Sequence, residues 1–128
     1  MDSTFVKGRQ GEELACRFLQ EKNYTVLARN FVYKGNEVDI IAKDKNEIVF
    51  VEVKERATDV FGEPFRAVNH KKQLSIINVA NYYMQKFNID LEARFDIVSI
   101  VLKENSSADI LHIENAFSPI ELLSKKRF

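Results

Sequence analysis

Among 128 residues the chain has one cysteine, Cys16. A single thiol excludes an internal disulfide and a zinc cluster built on thiolates, and it makes a reducing cytoplasm the natural compartment. No apolar run approaches the roughly 20 residues needed to cross a bilayer. The start, Met1 to Lys7, lacks a basic segment followed by an apolar core, so a cytoplasmic protein with no membrane association is expected. An excess of one charge is missing too. The 19 basic and 19 acidic residues cancel, leaving no global field to draw the chain to phosphate backbones. This weighs mildly against nucleic-acid binding without deciding it, because a carboxylate metal site lowers net charge while leaving basic surface nearby. Repeats and low-complexity tracts are also absent. With 45% of residues apolar, the length fits one domain, residues 1–128, able to bury a core without staples.

Residues 8–22, GRQGEELACRFLQEK, carry Leu14, Ala15, Phe18 and Leu19 at helical spacing with charges between them, which predicts an amphipathic helix. Residues 24–33, YTVLARNFVY, have the β-branched and aromatic content of a strand, and Lys34-Gly35-Asn36 supplies turn chemistry. Residues 37–42 (EVDIIA) and 48–53 (IVFVEV) predict two strands joined by a polar turn; the second, nearly continuous in apolar residues, suits a strand covered on both faces. A loop over 55–64, with Gly62 and Pro64, precedes a long helix over 68–87 whose stripe is Ile76, Ile77, Ala80, Tyr83, Met84 and Phe87. Residues 94–102 and 109–117 predict two more strands. From Ser118 onward the chain reads as a short helical turn or a flexible tail. The order implies an α/β fold, one mixed sheet with helices packed on it.

Side chains two apart on a strand share a face, so Glu52 and Lys54 project together at the end of the buried strand while Val51 and Val53 point the other way. A hairpin turning near residues 44–46 brings Asp39 across from Glu52 or nearly so. Two neighbouring carboxylates repel unless a cation or proton lies between them, and oxygen ligands suit Mg²⁺ or Mn²⁺. Such an ion activates water and neutralises charge on a phosphate, and an adjacent lysine can orient the water. An isolated Glu-x-Lys is more often a plain surface ion pair. Here the apolar run before it and the aspartate one strand earlier raise its weight. In the first helix, at about 100° per residue, Glu12 lies over Ala15, Cys16 and Leu19, at the edge of the apolar stripe, and Glu13 over Arg17 and Gln20, facing water. A carboxylate turned inward needs a partner, and a metal site in the adjoining sheet is one.

The strand pair EVDIIA and IVFVEVK resembles the core of the PD-(D/E)XK nuclease superfamily, here Asp39 followed by Glu52-Val53-Lys54. Its fold is a restriction-endonuclease-like αβββαβ core, a mixed sheet flanked by helices. From Gly8 to about Asp96 the chain resembles the YraN-like family of small bacterial proteins, in GRQGEELA, the Asn30-Phe31 pair, EVD, FVEVKER, the Phe61-Gly62 turn, Lys72 at the start of the long helix, and RFDIV. Similarity in fold to archaeal Holliday-junction resolvases implies that a first-helix glutamate joins the metal site, and it falls on Glu12. The resemblance implies Glu12, Asp39 and Glu52 as metal ligands with the Val53 carbonyl assisting, and Lys54 beside the attacking water. Two departures stand out: Asn36 where the family usually has glycine, affecting only the turn, and Val38 in place of the superfamily's proline before the aspartate.

Arg56, Arg66, His70, Lys71 and Lys72 gather after the site strand and at the start of the long helix. Helix N-termini and basic side chains attract phosphates, so Arg56, Lys71 and Lys72 are candidate nucleic-acid contacts, and the family match favours Lys72. His70 and His112 have no metal-ligand spacing and read as hydrogen-bonded surface or core residues. The expected function is a Mg²⁺- or Mn²⁺-dependent endonuclease hydrolysing phosphodiester bonds in DNA, with branched or repair and recombination intermediates as candidate substrates. RNA is an open alternative substrate, and a homodimer is compatible with cutting two strands. The rival is a non-catalytic domain that keeps the nuclease fold and binds nucleic acid or a partner, which the neutral charge favours modestly.

Overall fold

A computed structural model describes residues 3–56 and 68–119, with side chains described from Gln10 onward. Helix α1 (Ser3–Glu21) precedes strands β1 (Thr25–Tyr33), β2 (Asn36–Asp44) and β3 (Glu47–Arg56); helix α2 (His70–Lys86) precedes β4 (Glu92–Leu102) and β5 (Ala108–Phe117). The five strands form one sheet in sequence order. Its pairings are antiparallel except β3 with β4, which run parallel. Parallel neighbours need a crossover, and α2 provides it. This is the αβββαβ order, extended by β5. The Phe61-Gly62 turn, Arg66 and the tail from residue 120 lie outside the described residues.

Two apolar layers sandwich the sheet. On one face Ala15, Cys16 and Leu19 of α1 pack on Ile40, Ala42, Val49, Val51, Val98 and Ile100. On the other, Ile76, Val79, Ala80 and Tyr83 of α2 pack on Ile41, Ile48, Phe50, Phe95 and Ile97. Because β3 is central and covered on both sides, residues 48–51 are all buried, which accounts for the unbroken IVFV. Helix α1 begins five residues before the expected start at Gly8; glycine lowers helix propensity without ending the helix. Helix α2 begins two residues later than expected, where the Asn69 Oδ1 accepts from the Lys72 N–H at 2.9 Å. That cap satisfies a donor that the helix itself leaves unpaired. Phe87, expected in the buried stripe, is instead half exposed because it lies past the helix end.

The closed end of the β2–β3 hairpin is held by a buried polar network. Arg94 of β4 donates through Nη1 to Asp44 at 3.0 Å and Glu47 at 2.9 Å, the residues flanking the turn. Its Nε and Nη2 grip both oxygens of Asp96, and Nη2 also reaches the Tyr24 hydroxyl. Asp96 further accepts from His112 Nε2 at 2.7 Å and from the Asn115 N–H at 2.9 Å. Burial by itself pushes the Asp96 carboxyl up; the bonds from His112, Arg94 and Asn115 outweigh it and hold the group below its ordinary value. A buried guanidinium stripped of carboxylates, or the reverse, is expensive.

Arg94→Ala is therefore expected to lower unfolding free energy by about 3–5 kcal/mol in urea titration at neutral pH. A loss under 1 kcal/mol would show that the network is dispensable. For Asp96 the sign is the usual acidic one: its contribution is complete above the unfolded carboxylate value and is lost as pH falls below it.

Candidate metal centre

The open end of the same hairpin carries the acidic residues. Pairing between β2 and β3 runs from Asp44↔Glu47 to Ile40↔Val51 and stops; one more step would oppose Asp39 and Glu52. Instead the Asp39 side chain takes the Val53 N–H, donated to Oδ2 at 2.8 Å. A side chain thus occupies a backbone partner's place, and the ladder ends there.

Strand β2 also turns over at this point. Val38 packs in the α2-side layer and Ile40 in the α1-side layer, although residues two apart ordinarily share a face. Opposite, β1 pairs Arg29↔Ile40 and Phe31↔Val38, with Asn30 between them at φ 52°. Asparagine tolerates this left-handed backbone better than most residues. Its amide donates to Glu12 Oε1 at 2.5 Å and to Glu37 Oε1 at 2.6 Å, tying α1 to β2. Gly11 lets α1 come close: a Cβ there would lie 2.9 Å from the Glu55 carboxyl carbon.

Carboxylate oxygens of Glu12, Glu37 and Asp39 lie within 4.8 Å of one another. Asp39 also faces Glu52, which is buried and forms an ion pair with Lys72 Nζ at 3.5 Å. Burial first, then the hydrogen bond and charge of Glu52, push the Asp39 carboxyl up to about 8, against the Val53 N–H and Lys72. Glu12 is raised as well, by burial and by Asp39 and Glu37, with the Asn30 hydrogen bond opposing. Glu52 Oε2 is buried and accepts no hydrogen bond among the described residues. An all-oxygen donor set, with the buried Glu52 Oε2 held by no hydrogen bond among the described residues and met by the Lys72 ammonium at 3.5 Å, matches the ligand preference of a hard divalent cation.

Of the residues expected from sequence, Asp39 meets Glu12 on one side and Glu52 on the other; Glu52 is not among the three carboxylates that lie within 4.8 Å of one another. Val53 borders it through its backbone. Lys54 lies half-buried two residues beyond Glu52, in register with Ser99 of β4, and it is Lys72, not Lys54, that pairs with Glu52. Lys71 is exposed on the first turn of α2, and Arg56 ends β3. Glu13 turns outward, bonded to Arg29 at 3.0 Å. Sequence reasoning missed Glu37 and Asn30. The same two-residue spacing that singled out Glu52 and Lys54 links Glu37 to Asp39; Asn30 stood out only as part of the Asn30-Phe31 resemblance, and its role comes from a left-handed backbone in a neighbouring strand.

The model of the Uncharacterised protein family UPF0102 matches residues 11–100. The chain belongs to that family. A UPF0102 protein of Clostridium acetobutylicum is 46% identical over 112 residues, covering 86% of this chain and 92% of the relative. Those of Christiangramia forsetii and Thermodesulfovibrio yellowstonii are 41% and 44% identical over 110 residues, each covering 86% of this chain and 92% and 94% of the relative. The UPF0102 match runs from Gly11 to Ile100, so it spans Glu12, Asn30, Glu37, Asp39, Glu52, Lys54 and Lys72. The UPF0102 description names no activity.

The raised Asp39 value sets a pH dependence. Between the ordinary carboxylate value of 3.8 and about 8, the folded protein holds a proton that the unfolded chain releases. Its stabilising contribution is complete at the acid end and is lost as pH rises through that window. Without divalent cations, Tm is expected to fall from pH 5 to 8.5, and millimolar Mn²⁺ should restore it at pH 8. Asp39→Asn should flatten the slope; an unchanged slope in that variant would assign the proton elsewhere.

Proposed function

We propose that this protein is a metal-dependent nuclease acting on DNA, with Mg²⁺ or Mn²⁺ held by Glu12, Asp39 and Glu52, joined by Glu37 and the Val53 carbonyl. The observation that carries the reading is the convergence of these carboxylates where β2 and β3 part. Four acidic groups with Lys72 as the ion-pair partner of one of them are poorly compensated by protein charge, and burial makes that costly. The bound ion would supply an acidified water and neutralise charge on the scissile phosphate.

The chain's own groups then have separate tasks. Asn30 holds Glu12 and Glu37 at a fixed spacing. The Val53 N–H orients Asp39 and favours its ionised form. Lys54, two residues after Glu52 on β3, would orient the attacking water or meet charge developing on the phosphate. Lys72 screens Glu52; were a cation to take over that role, its ammonium would be available to a phosphate oxygen. Arg56 and Lys71 extend the cationic rim.

The test is cleavage of labelled four-way junction, flap and single-stranded DNA with Mg²⁺ or Mn²⁺. Asp39→Asn, Glu52→Gln and Lys54→Ala should each lose about 100-fold or more in rate, while Glu13→Gln should retain wild-type turnover. Cleavage that survives in the Asp39 and Lys54 variants would expose a contaminant. Absence of cleavage together with absence of Mn²⁺ binding by calorimetry would instead favour a binding domain that has kept the fold.

A further inference from the structure

A second constellation lies on the α2 side of the sheet, outside the carboxylate cluster. The β1–β2 hairpin contributes Tyr33, Lys34 and Asn36, and α2 contributes Asn78, Asn81, Tyr82 and Gln85, to a cleft of about 320 Å³. That is the lower end of the size range for sites that take one small molecule. The four α2 residues fall at i, i+3, i+4 and i+7, one face of the helix. No acidic residue lines the cleft, in a chain where acidic and basic residues are equal in number.

Tyr33 and Tyr82 stack with ring centroids 3.9 Å apart and planes 9° from parallel. Lys34 Nζ lies 5.4 Å over the Tyr33 ring and Lys86 Nζ 5.7 Å over Tyr82. The two rings cover each other's inner faces and a lysine ammonium lies near each ring; a base that took a lysine's place would extend the stack, and with three exposed amides beside it the pair combines the features that recognise an unpaired nucleotide. Rings stack on a base, lysines meet its phosphate, and side-chain amides pair with the donor and acceptor groups of its edge. A plain solvated helix face would be served better by lysine, glutamate or alanine, because asparagine is a weaker helix former. Asn78 and Asn81 within one turn of an exposed face therefore call for another reason.

We propose that this cleft binds an unpaired base and its phosphate in a single-stranded segment of the substrate; the proposal rests on the nucleic-acid reading above and names the substrate class for it. Both elements that form the cleft also carry residues of the carboxylate site. Asn36 is three residues before Asp39 on β2, roughly 10 Å, and Tyr82 is ten residues after Lys72 on α2, roughly 15 Å. A strand with one base on the tyrosines would reach the carboxylates within a few nucleotides. The substrate this implies is branched or frayed DNA with a short unpaired arm, and fully paired duplex would leave the cleft empty.

Binding of a fluorescein-labelled 15-nucleotide single strand and of the matching duplex is measured by anisotropy on the Asp39→Asn protein in EDTA, so that turnover plays no part. The single strand is expected to bind at least ten-fold more tightly than the duplex. Because the chain lacks tryptophan, its emission comes from tyrosine and should be partly quenched by the single strand. The double variant Asn78→Asp/Asn81→Asp, at exposed positions that do not disturb the core, and Lys34→Glu should each weaken single-strand binding about ten-fold or more. Tyr82→Ala should abolish the quench. Equal affinity for strand and duplex, or unchanged affinity in the double variant and in Lys34→Glu, would overturn the proposal. Loss of metal binding or cleavage with strand preference intact would count against the nuclease reading alone.

Discussion

The candidate centre depends on one hydrogen bond, from the Val53 N–H to the carboxylate of Asp39. A buried backbone donor must be satisfied, and in an ordinary hairpin the facing strand's carbonyl would do so. Because a side chain does it here, the β2–β3 ladder stops at Ile40↔Val51 and the strands are released from pairing where the acidic residues lie. The bond also fixes Asp39 against Glu52, at the cost of gathering negative charge in a place largely shielded from water. The turn-over of β2 and the left-handed Asn30 next to it are consistent with the same constraint, since a strand that changes face needs its neighbour to accommodate the change.

That release is tolerable because the other end of the hairpin is locked. Arg94 joins Asp44 and Glu47 across the turn and anchors both to Asp96 of β4. The two polar systems share the same strands but differ in compensation. Around Arg94 a guanidinium sits among several acceptors, and Asp96 stays ionised. Around Asp39 carboxylates crowd together with Lys72 as the nearby cation, and a proton is retained instead. A structural network satisfies its charges internally. A site that leaves charge uncompensated attracts a ligand of opposite sign.

The neutral composition also takes on a different meaning once the charges are placed. Lys34, Lys71, Lys72 and Lys86 lie on α2 and the adjoining hairpin, whereas Glu12, Glu37, Asp39 and Glu52 are concentrated where the strands part. Cancelling totals therefore conceal local fields of opposite sign. These fields act locally, since screening confines each to about 8 Å in physiological salt.

Much of the architecture was legible in the residues alone. Periodicity marked both helices, and the continuous IVFV run announced a central strand covered on both faces, because each reflects local geometry and burial. The same-face spacing of Glu52 and Lys54, and the inward angle of Glu12, follow from strand and helix repeats and needed no coordinates. What tertiary structure alone decided was which groups meet. Asn30 joins Glu12 and Glu37 through an amide on a strand between them in sequence, Lys72 reaches Glu52 from a helix on the α2 side of the sheet, and Arg94 closes over a turn 50 residues earlier. Such pairings depend on sheet register, on the face switch at Asp39 and on helix placement. These are set by the packing of the whole chain, and no local pattern encodes them.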